Sequence, residues 1–391
     1  MKKLIFLLLL IVIFVFGLVY YKDLSLKKVD KVDNVKETEK NGIVIDSKYK
    51  NDLFYDKYVE ATKILDKMSL EEKIGQLFLV RYDKSITDDY ISNYYVGGFI
   101  LFAKDFENHT MKSISDEISA IQNESSLPLT IAVDEEGGYV TRVSRFTNFR
   151  DSKFLSPKEY YETGGYELLE QMENEKISLL KNIGINLNLA PVVDIPTSPN
   201  DFIYSRSFGL DAKETSIFAK NMVKYSKNNY FSSCLKHFPG YGNNVDTHTG
   251  VAIDNREYEV FEKSDYLPFK AGIDEGVPFI LISHNIVNSI DSNYPSSLSY
   301  KVITGELRNK LKFTGIVVTD DLDMDAVKSY AIDGNAATLA INAGADMIIT
   351  SDYINMYNEI LNSVSTNTID ISVIDEAVRR IIAWKLSYGL K

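Results

Sequence analysis

The chain has 391 residues, 45% hydrophobic and 12% aromatic, which is enough apolar material for one large core or two ordinary ones. Its formal net charge of −12 argues against a nucleic-acid partner, because phosphate binding needs a basic face. Cys234 is the single cysteine, which rules out an internal disulfide framework and a cysteine-rich zinc site.

The N-terminus opens with Met1, Lys2 and Lys3, followed by LIFLLLLIVIFVFGLVYY from Leu4 to Tyr21 without a charge. A cleavable signal has an apolar core of about 7–15 residues and a small-residue cleavage site, and this run is longer and lacks the site. A spanning helix needs about 20 apolar residues, with a lower limit near 17. Residues 1–21 therefore read as an uncleaved membrane anchor rather than a cleaved signal. Lys2 and Lys3 then stay in the cytoplasm and the remainder lies outside. Residues 22–51 are rich in Lys, Asp, Glu and Asn and read as a solvated stalk. The folded part, residues 52–391, begins near DKMSLEEKIGQL, where Ser69 and Glu72 have the spacing of a capping box ahead of an amphipathic helix.

Beyond this helix one theme recurs. Apolar runs end in polar residues or glycine turns, with helical stretches between them. They are FLVRY (78–82), GFILF (98–102), LTIAVDEEGG (129–138), NLNLAPVVD (186–194), SSCLKHFPG (232–240), PFILISHN (278–285), GIVVTDD (315–321) and ADMIIT (345–350). Runs with little alternation are those of parallel strands covered on both faces. Eight strand-plus-helix units predict a single (β/α)₈ TIM-like barrel, with its chemistry at the C-terminal ends of the strands. An open doubly wound sheet is the alternative, but neither a dinucleotide fingerprint nor a phosphate loop is present. The barrel reading sends Arg81, Asp134, Asp194, Lys236 with His237, Ser283 with His284, Asp320 with Asp321, and Ser351 with Asp352 to one rim.

The segment KHFPGYGNNVDTHTG holds two of the four histidines. Lys236 and His237 finish a strand, and F-P-G-Y-G turns the chain tightly. Asp246 and His248 follow, one residue apart, so that in an extended loop the carboxylate reaches the imidazole. A carboxylate there sets the ring's tautomer and raises its pKa, which suits a proton donor near neutral pH. His237, Asp246 and His248 are also conceivable metal ligands. The chain lacks the H-x-H pair common in hydrolytic metal barrels, so no metal and no cofactor is expected.

In GIVVTDDLDMDAV, Asp320 falls where the seventh strand ends. A carboxylate there can attack an anomeric carbon or steady an oxocarbenium ion. Asp323 and Asp325 suit the start of the next helix. In VDEEGGYVTR, Asp134 ends the third strand, with Arg142 placed to fork onto it or onto a sugar hydroxyl; a structural Asp–Arg pair is the alternative. Arg206, in YSRSFG, is a further candidate donor. His284 completes the rim, unless it is a satisfied core histidine.

Taken together, MSLEEKIGQL, GGFILF, DEEGG, NLNLAPVVD, RSFG, KHFPGYG, DTH, SH and TDDLDM resemble the family 3 glycoside hydrolases, and within them the β-N-acetylglucosaminidases. The resemblance spans about Ser69 to Leu390. It implies a retaining mechanism in which Asp320 is the nucleophile and His248, backed by Asp246, the general acid/base. Asp134, Arg142, Arg206, Lys236 and His237 match positions that hold the sugar hydroxyls and N-acetyl group. The sequence departs from the family's pattern at Tyr241, where a histidine is common, at Asn243, at Thr319 of T-D-D, and in TGVAID after His248.

The expectation is thus an exported, membrane-tethered exo-β-N-acetylglucosaminidase acting on cell-wall amino-sugar glycans, without cofactor, nucleic acid or obligate protein partner. Alternatives are a β-glucosidase or β-xylosidase of the same family, a barrel that only binds wall glycan, and a metal-dependent deacetylase or amidase.

Overall fold

The computed structural model describes residues 38–40, 43–245, 250–331 and 334–390. The apolar run expected to anchor the chain, and Asp246 and His248, lie outside the described residues. Among those described, no helix is long and apolar enough to cross a membrane.

The chain divides into two units, one up to Lys50 and one from Asn51 onward. In the first, Thr38–Lys40 and Ile43–Ile45 pair as a short antiparallel ladder. The stretch read as a stalk therefore contains paired strands, consistent with the β-branched Ile43, Val44 and Ile45.

The second unit is a closed barrel of eight parallel strands. They are β1 (Phe78–Arg81), β2 (Gly98–Leu101), β3 (Thr130–Val133), β4 (Leu187–Asn188), β5 (Ser232–Phe238), β6 (Phe279–Ile282), β7 (Ile316–Asp321) and β8 (Met347–Thr350). Each falls within one of the eight runs picked out above. Each strand pairs with the next in sequence, and β8 returns to β1 through Ile348 opposite Phe78 and Thr350 opposite Val80. Strands β2, β3, β6 and β8 are buried at every position, which explains why they read as unbroken apolar runs.

Helices cover the outside. The helix Leu70–Gln76 starts at the anticipated capping box: the Ser69 hydroxyl accepts from the Glu72 N–H at 3.2 Å, and the Glu72 carboxylate accepts from the Ser69 N–H at 2.7 Å. The last helix, Ile371–Ser387, plugs the side of the barrel with Trp384. That indole is fully buried, lies edge-on to Phe279 at 4.7 Å between centroids, and donates Nε1–H to the Ser232 hydroxyl at 2.9 Å. Both partners belong to barrel strands, so one large side chain ties the final helix to β5 and β6.

Register is regular except near the ends of two strands. Strand β5 shifts against β6 between Leu235 and Phe238, and β7 shifts against β8 between Val318 and Asp321. Such irregularities re-aim side chains. These are the strands that carry Lys236 with His237 and Asp320 with Asp321.

Candidate active site

A cavity of about 420 Å³ opens at the C-terminal ends of the strands. Asp134, Arg142, Arg206, Lys236, His237 and Asp320 all line it, as do Arg81, Glu136 and Asp321. Phe102, Phe202, Leu189, Leu281 and Ile349 supply apolar wall. The volume falls within the range of small-molecule sites.

The deepest part is an ion network centred on Glu136. Its Oε1 lies 2.7 Å from Lys236 Nζ and 2.7 Å from Arg206 Nη2, while Oε2 accepts from Arg206 Nε at 3.0 Å. Lys236 also donates to Asp134 Oδ1 at 2.7 Å. Burial works against charge on Glu136, but Lys236 and Arg206 outweigh it and hold the carboxyl far below the ordinary carboxylate range. Burial likewise opposes charge on Lys236, yet Asp134 and Glu136 prevail and raise its pKa. Arg206 is therefore a half-buried partner of Glu136 rather than a surface arginine. Arg142 comes within 4.0 Å of Asp134, the pairing anticipated from the sequence.

Glu136 was not singled out from the sequence. The available signal was its position two residues after Asp134, which in extended chain shares a face with it. Its neighbour Glu135 has a different task. It is fully buried and accepts from the N–H groups of Arg142 at 2.7 Å, Val143 at 2.8 Å and Ser144 at 3.3 Å. Asn188 of β4 grips the same residue's backbone, accepting from its N–H at 2.9 Å and donating to its carbonyl at 3.0 Å. This clamp fixes the turn that presents Arg142.

His237 is oriented by Asp194, which was expected at the rim but is buried and absent from the cavity lining. The Asp194 carboxylate lies 2.7 Å from Nδ1, so that nitrogen carries a proton. Nε2 then faces Arg206 Nη2 at 3.3 Å. Asp194 also accepts from the N–H of Tyr241 at 2.7 Å and of His237 at 3.1 Å, which pins the turn after β5. The Lys236–His237 and Phe238–Pro239 peptide bonds are cis, and Lys236 and His237, though adjacent in sequence, both line the cavity.

The glycines of F-P-G-Y-G are required by what surrounds them. Gly240 has φ +129° and Gly242 φ +52°. A Cβ on Gly240 would sit 2.2 Å from Asp265 Oδ1, and one on Gly242 would sit 2.4 Å from the Arg256 guanidinium. Arg256 binds Asp254 at 2.7 Å, Asp265 at 3.0 Å and the Gly240 carbonyl at 3.1 Å. The loop is thus laid over a buried ion cluster up to Val245, just before the segment holding Asp246 and His248.

On the far wall, Asp320 is half-buried at the end of β7, and its Oδ1 accepts the Asp321 N–H at 2.9 Å. Asp321 accepts from the Asp323 N–H at 2.9 Å and from the Ser351 hydroxyl at 3.1 Å. Burial is the main cause that raises its pKa. Asp325 begins a short helix, Asp325–Lys328, as expected, while Asp323 pairs with Lys328 at 3.2 Å.

His284 is not among the residues lining the cavity. It is fully buried, with Nε2 2.9 Å from the Asp321 carbonyl and Nδ1 2.8 Å from the Ser297 hydroxyl. A carbonyl can only accept, so Nε2 is the donor. The side chain follows the end of β6 outward and props the backbone of β7 from behind. The core-histidine alternative describes this placement better than a sugar contact does.

Paired charges at the end of a cavity, and a carboxylate across from them on the rim of a parallel barrel, match a polyhydroxylated ligand and a displacement at carbon; the class is that of carbohydrate-processing barrel enzymes. Residues 69–384 match the glycosyl hydrolase family 3 N-terminal domain. The chain belongs to glycosyl hydrolase family 3 and is a glycoside hydrolase. A beta-hexosaminidase of Nitrosomonas eutropha is 32% identical over 290 residues, covering 73% of this chain and 82% of that protein. Among solved structures, a family 3 beta-N-acetylglucosaminidase from Paenibacillus sp. superposes with a TM-score of 0.78 at 27% identity, covering 83% of this chain and 63% of that one. A beta-N-acetylhexosaminidase from Beutenbergia cavernae gives 0.72 at 26% identity, covering 83% of this chain and 99% of that one.

Proposed function

We propose that the protein is a retaining exo-β-N-acetylhexosaminidase that removes terminal β-linked N-acetylhexosamine from cell-wall or related glycans. The observation that carries this reading is the shared cavity, in which the Lys236–Glu136–Arg206 network and the Asp320 carboxylate face one another. The hexosaminidase names of the relatives support N-acetylhexosamine as the sugar.

In the first step the Asp320 carboxylate attacks the anomeric carbon while the glycosidic C–O bond breaks. The leaving oxygen takes a proton from His248, whose charge and tautomer Asp246 supports. In the second step His248 takes a proton from water, the oxygen of that water attacks the same carbon, and Asp320 departs with its electron pair. Two displacements return the original configuration. Lys236, Arg206, Asp134 and His237 hold the hydroxyls in place through both.

The test compares the full-length chain with Asp320→Asn on nitrophenyl β-N-acetylglucosaminide and β-glucoside, with chelator present. The expected result is cleavage of the N-acetyl substrate, no effect of chelator, and a loss of at least about a hundredfold in the variant. Full activity in the variant removes Asp320 from the mechanism, and preference for the glucoside replaces the substrate assignment.

We further propose that the uncharged run Leu4–Tyr21 tethers the enzyme to the outer side of the cell membrane. Membrane-fraction activity that becomes soluble when residues 1–21 are deleted is the expected outcome. Soluble activity from the intact chain argues against the tether.

A further inference from the structure

Arg81 stands apart from the other cations of the cavity. It is exposed at the end of β1, and its guanidinium lies over the Phe102 ring at 4.6 Å from the centroid. Arg142 lies 5.4 Å from the centroid of the same ring. Lys236 and Arg206 are each matched by close carboxylates, and Arg142 has Asp134 at 4.0 Å. Among the described residues, Arg81 has no ion-pair partner; the charge it influences is Asp105, whose carboxylate caps the Phe102 N–H at 2.8 Å.

Arg81, Arg142, Arg206 and Lys236 line the cavity together with Asp134, Glu136, Asp320 and Asp321, so the unpaired donor is a local feature of the wall rather than a net charge. Arg81 is the exposed cation of the four, and among the described residues it is the one without an ion pair. This occurs in a chain whose formal charge is −12. Buried Nε of Arg142 also has no hydrogen-bond partner, so the neighbouring guanidinium keeps a donor unused beside the same ring. Neutral hydroxyls are served by the paired charges deeper in the cavity. An exposed, ring-braced guanidinium whose fork is not engaged in an ion pair is matched to an anion, since its planar fork pairs with carboxylate, sulfate or phosphate oxygens.

We infer that Arg81 is a specificity-determining residue that selects glycosides bearing an anionic substituent, carried by the bound sugar or by its aglycone. The inference rests on the hexosaminidase reading for the identity of the sugar.

The experiment measures kcat/KM of the full chain, Arg81→Gln and Arg81→Lys on two pairs of substrates, each a charged glycoside and its neutral counterpart. These are neutral nitrophenyl β-N-acetylglucosaminide and its 6-sulfate, and the 4-carboxyphenyl β-N-acetylglucosaminide set against its methyl ester. The expected result is that Arg81→Gln loses about tenfold on one anionic probe and less than about twofold on its neutral counterpart. Arg81→Lys should retain part of the preference, and added salt should erode it. Loss on the sulfate alone places the anion on the sugar; loss on the carboxylate alone places it on the aglycone. Equal losses on charged and neutral substrates, or no loss on either, overturn the inference. The same pairs prepared as β-glucosides separate the two readings. Turnover of glucosides only, with the Arg81 effect intact, rejects the sugar assignment and keeps the anion site. No turnover of any substrate rejects both.

Discussion

Glu136 is the carboxylate on which two cations converge, Lys236 buried and Arg206 half-buried. Replacing it with Gln keeps the shape but leaves Lys236 and Arg206 with only Asp134 between them. Removing one partner of a buried ion pair costs about 3–5 kcal/mol, much of it from the charge left behind. Glu136→Gln is therefore expected to lower kcat/KM by at least about a hundredfold and to lower the melting temperature. The pH dependence has a definite sign. The folded pKa is held below the unfolded value of 4.5, so the stabilisation is complete above that pH and is lost as pH falls toward the folded value. Melting curves of parent and variant should accordingly differ most at pH 6 and draw together below about pH 4.5. A constant gap from pH 6 to pH 3 would show that Glu136 titrates normally. The sequence exposed Asp134, Arg142, Arg206, Lys236, His237 and Asp320 because each closes a strand or lies in a distinctive turn. It did not expose Glu136, whose meaning depends on Arg206, 70 positions away, and on Lys236, 100 positions away. His284 illustrates the converse: it follows a strand end as the others do, yet its ring serves a backbone carbonyl.

At the scale of elements, the strands were the most legible part of the chain. Parallel strands covered by helices need apolar side chains on both faces, and that leaves a run too uniform for an amphipathic helix and too short for a long one. The strand limits were less legible. Strand β4 is only Leu187–Asn188, although its apolar run continues to Val193, because Pro191 supplies no N–H to a ladder. The breaks in register near the ends of β5 and β7 were equally hidden, since they arise from pairing with neighbours rather than from local composition. They matter because they set the directions of Lys236, His237 and Asp320. The short ladder before Lys50 was illegible for a simpler reason: its three β-branched residues stand among charged ones.

Across the whole molecule, the two ends of the barrel each carry a buried charge network, and only one of them reaches the cavity. The C-terminal rim holds the cavity, while the N-terminal end holds charges with no access to it. Asp346, just before β8, accepts from the Val317 N–H at 2.7 Å and is paired with Arg308 at 2.5 Å and with Arg380. Lys385, on the last helix, is fully buried and donates to Gln76 Oε1 at 2.8 Å and to the Gly97 carbonyl at 3.3 Å. Gln76 and Gly97 precede β1 and β2, which places this ammonium at the barrel's floor. Burial lowers its pKa from 10.5 to about 7. The direction of the resulting linkage is opposite to that of a paired lysine. Below pH 7 the folded protein bears the cost of a buried charge; between pH 7 and 10.5 the folded lysine is deprotonated while the unfolded one still binds its proton, so stability rises with pH. One group contributes a slope of at most about 1.4 kcal/mol per pH unit. Lys385→Met should remove that slope, leaving the titrations common to both proteins, and should raise stability most at pH 6, offset in part by the lost hydrogen bonds. Chemical denaturation of both proteins from pH 6 to pH 9 measures this directly. An unchanged slope would mean that Lys385 keeps its charge through contacts with water. Because the floor does not touch the cavity, kcat/KM at pH 7 should stay within about twofold of the parent, and a larger change would show that the two ends of the barrel are coupled.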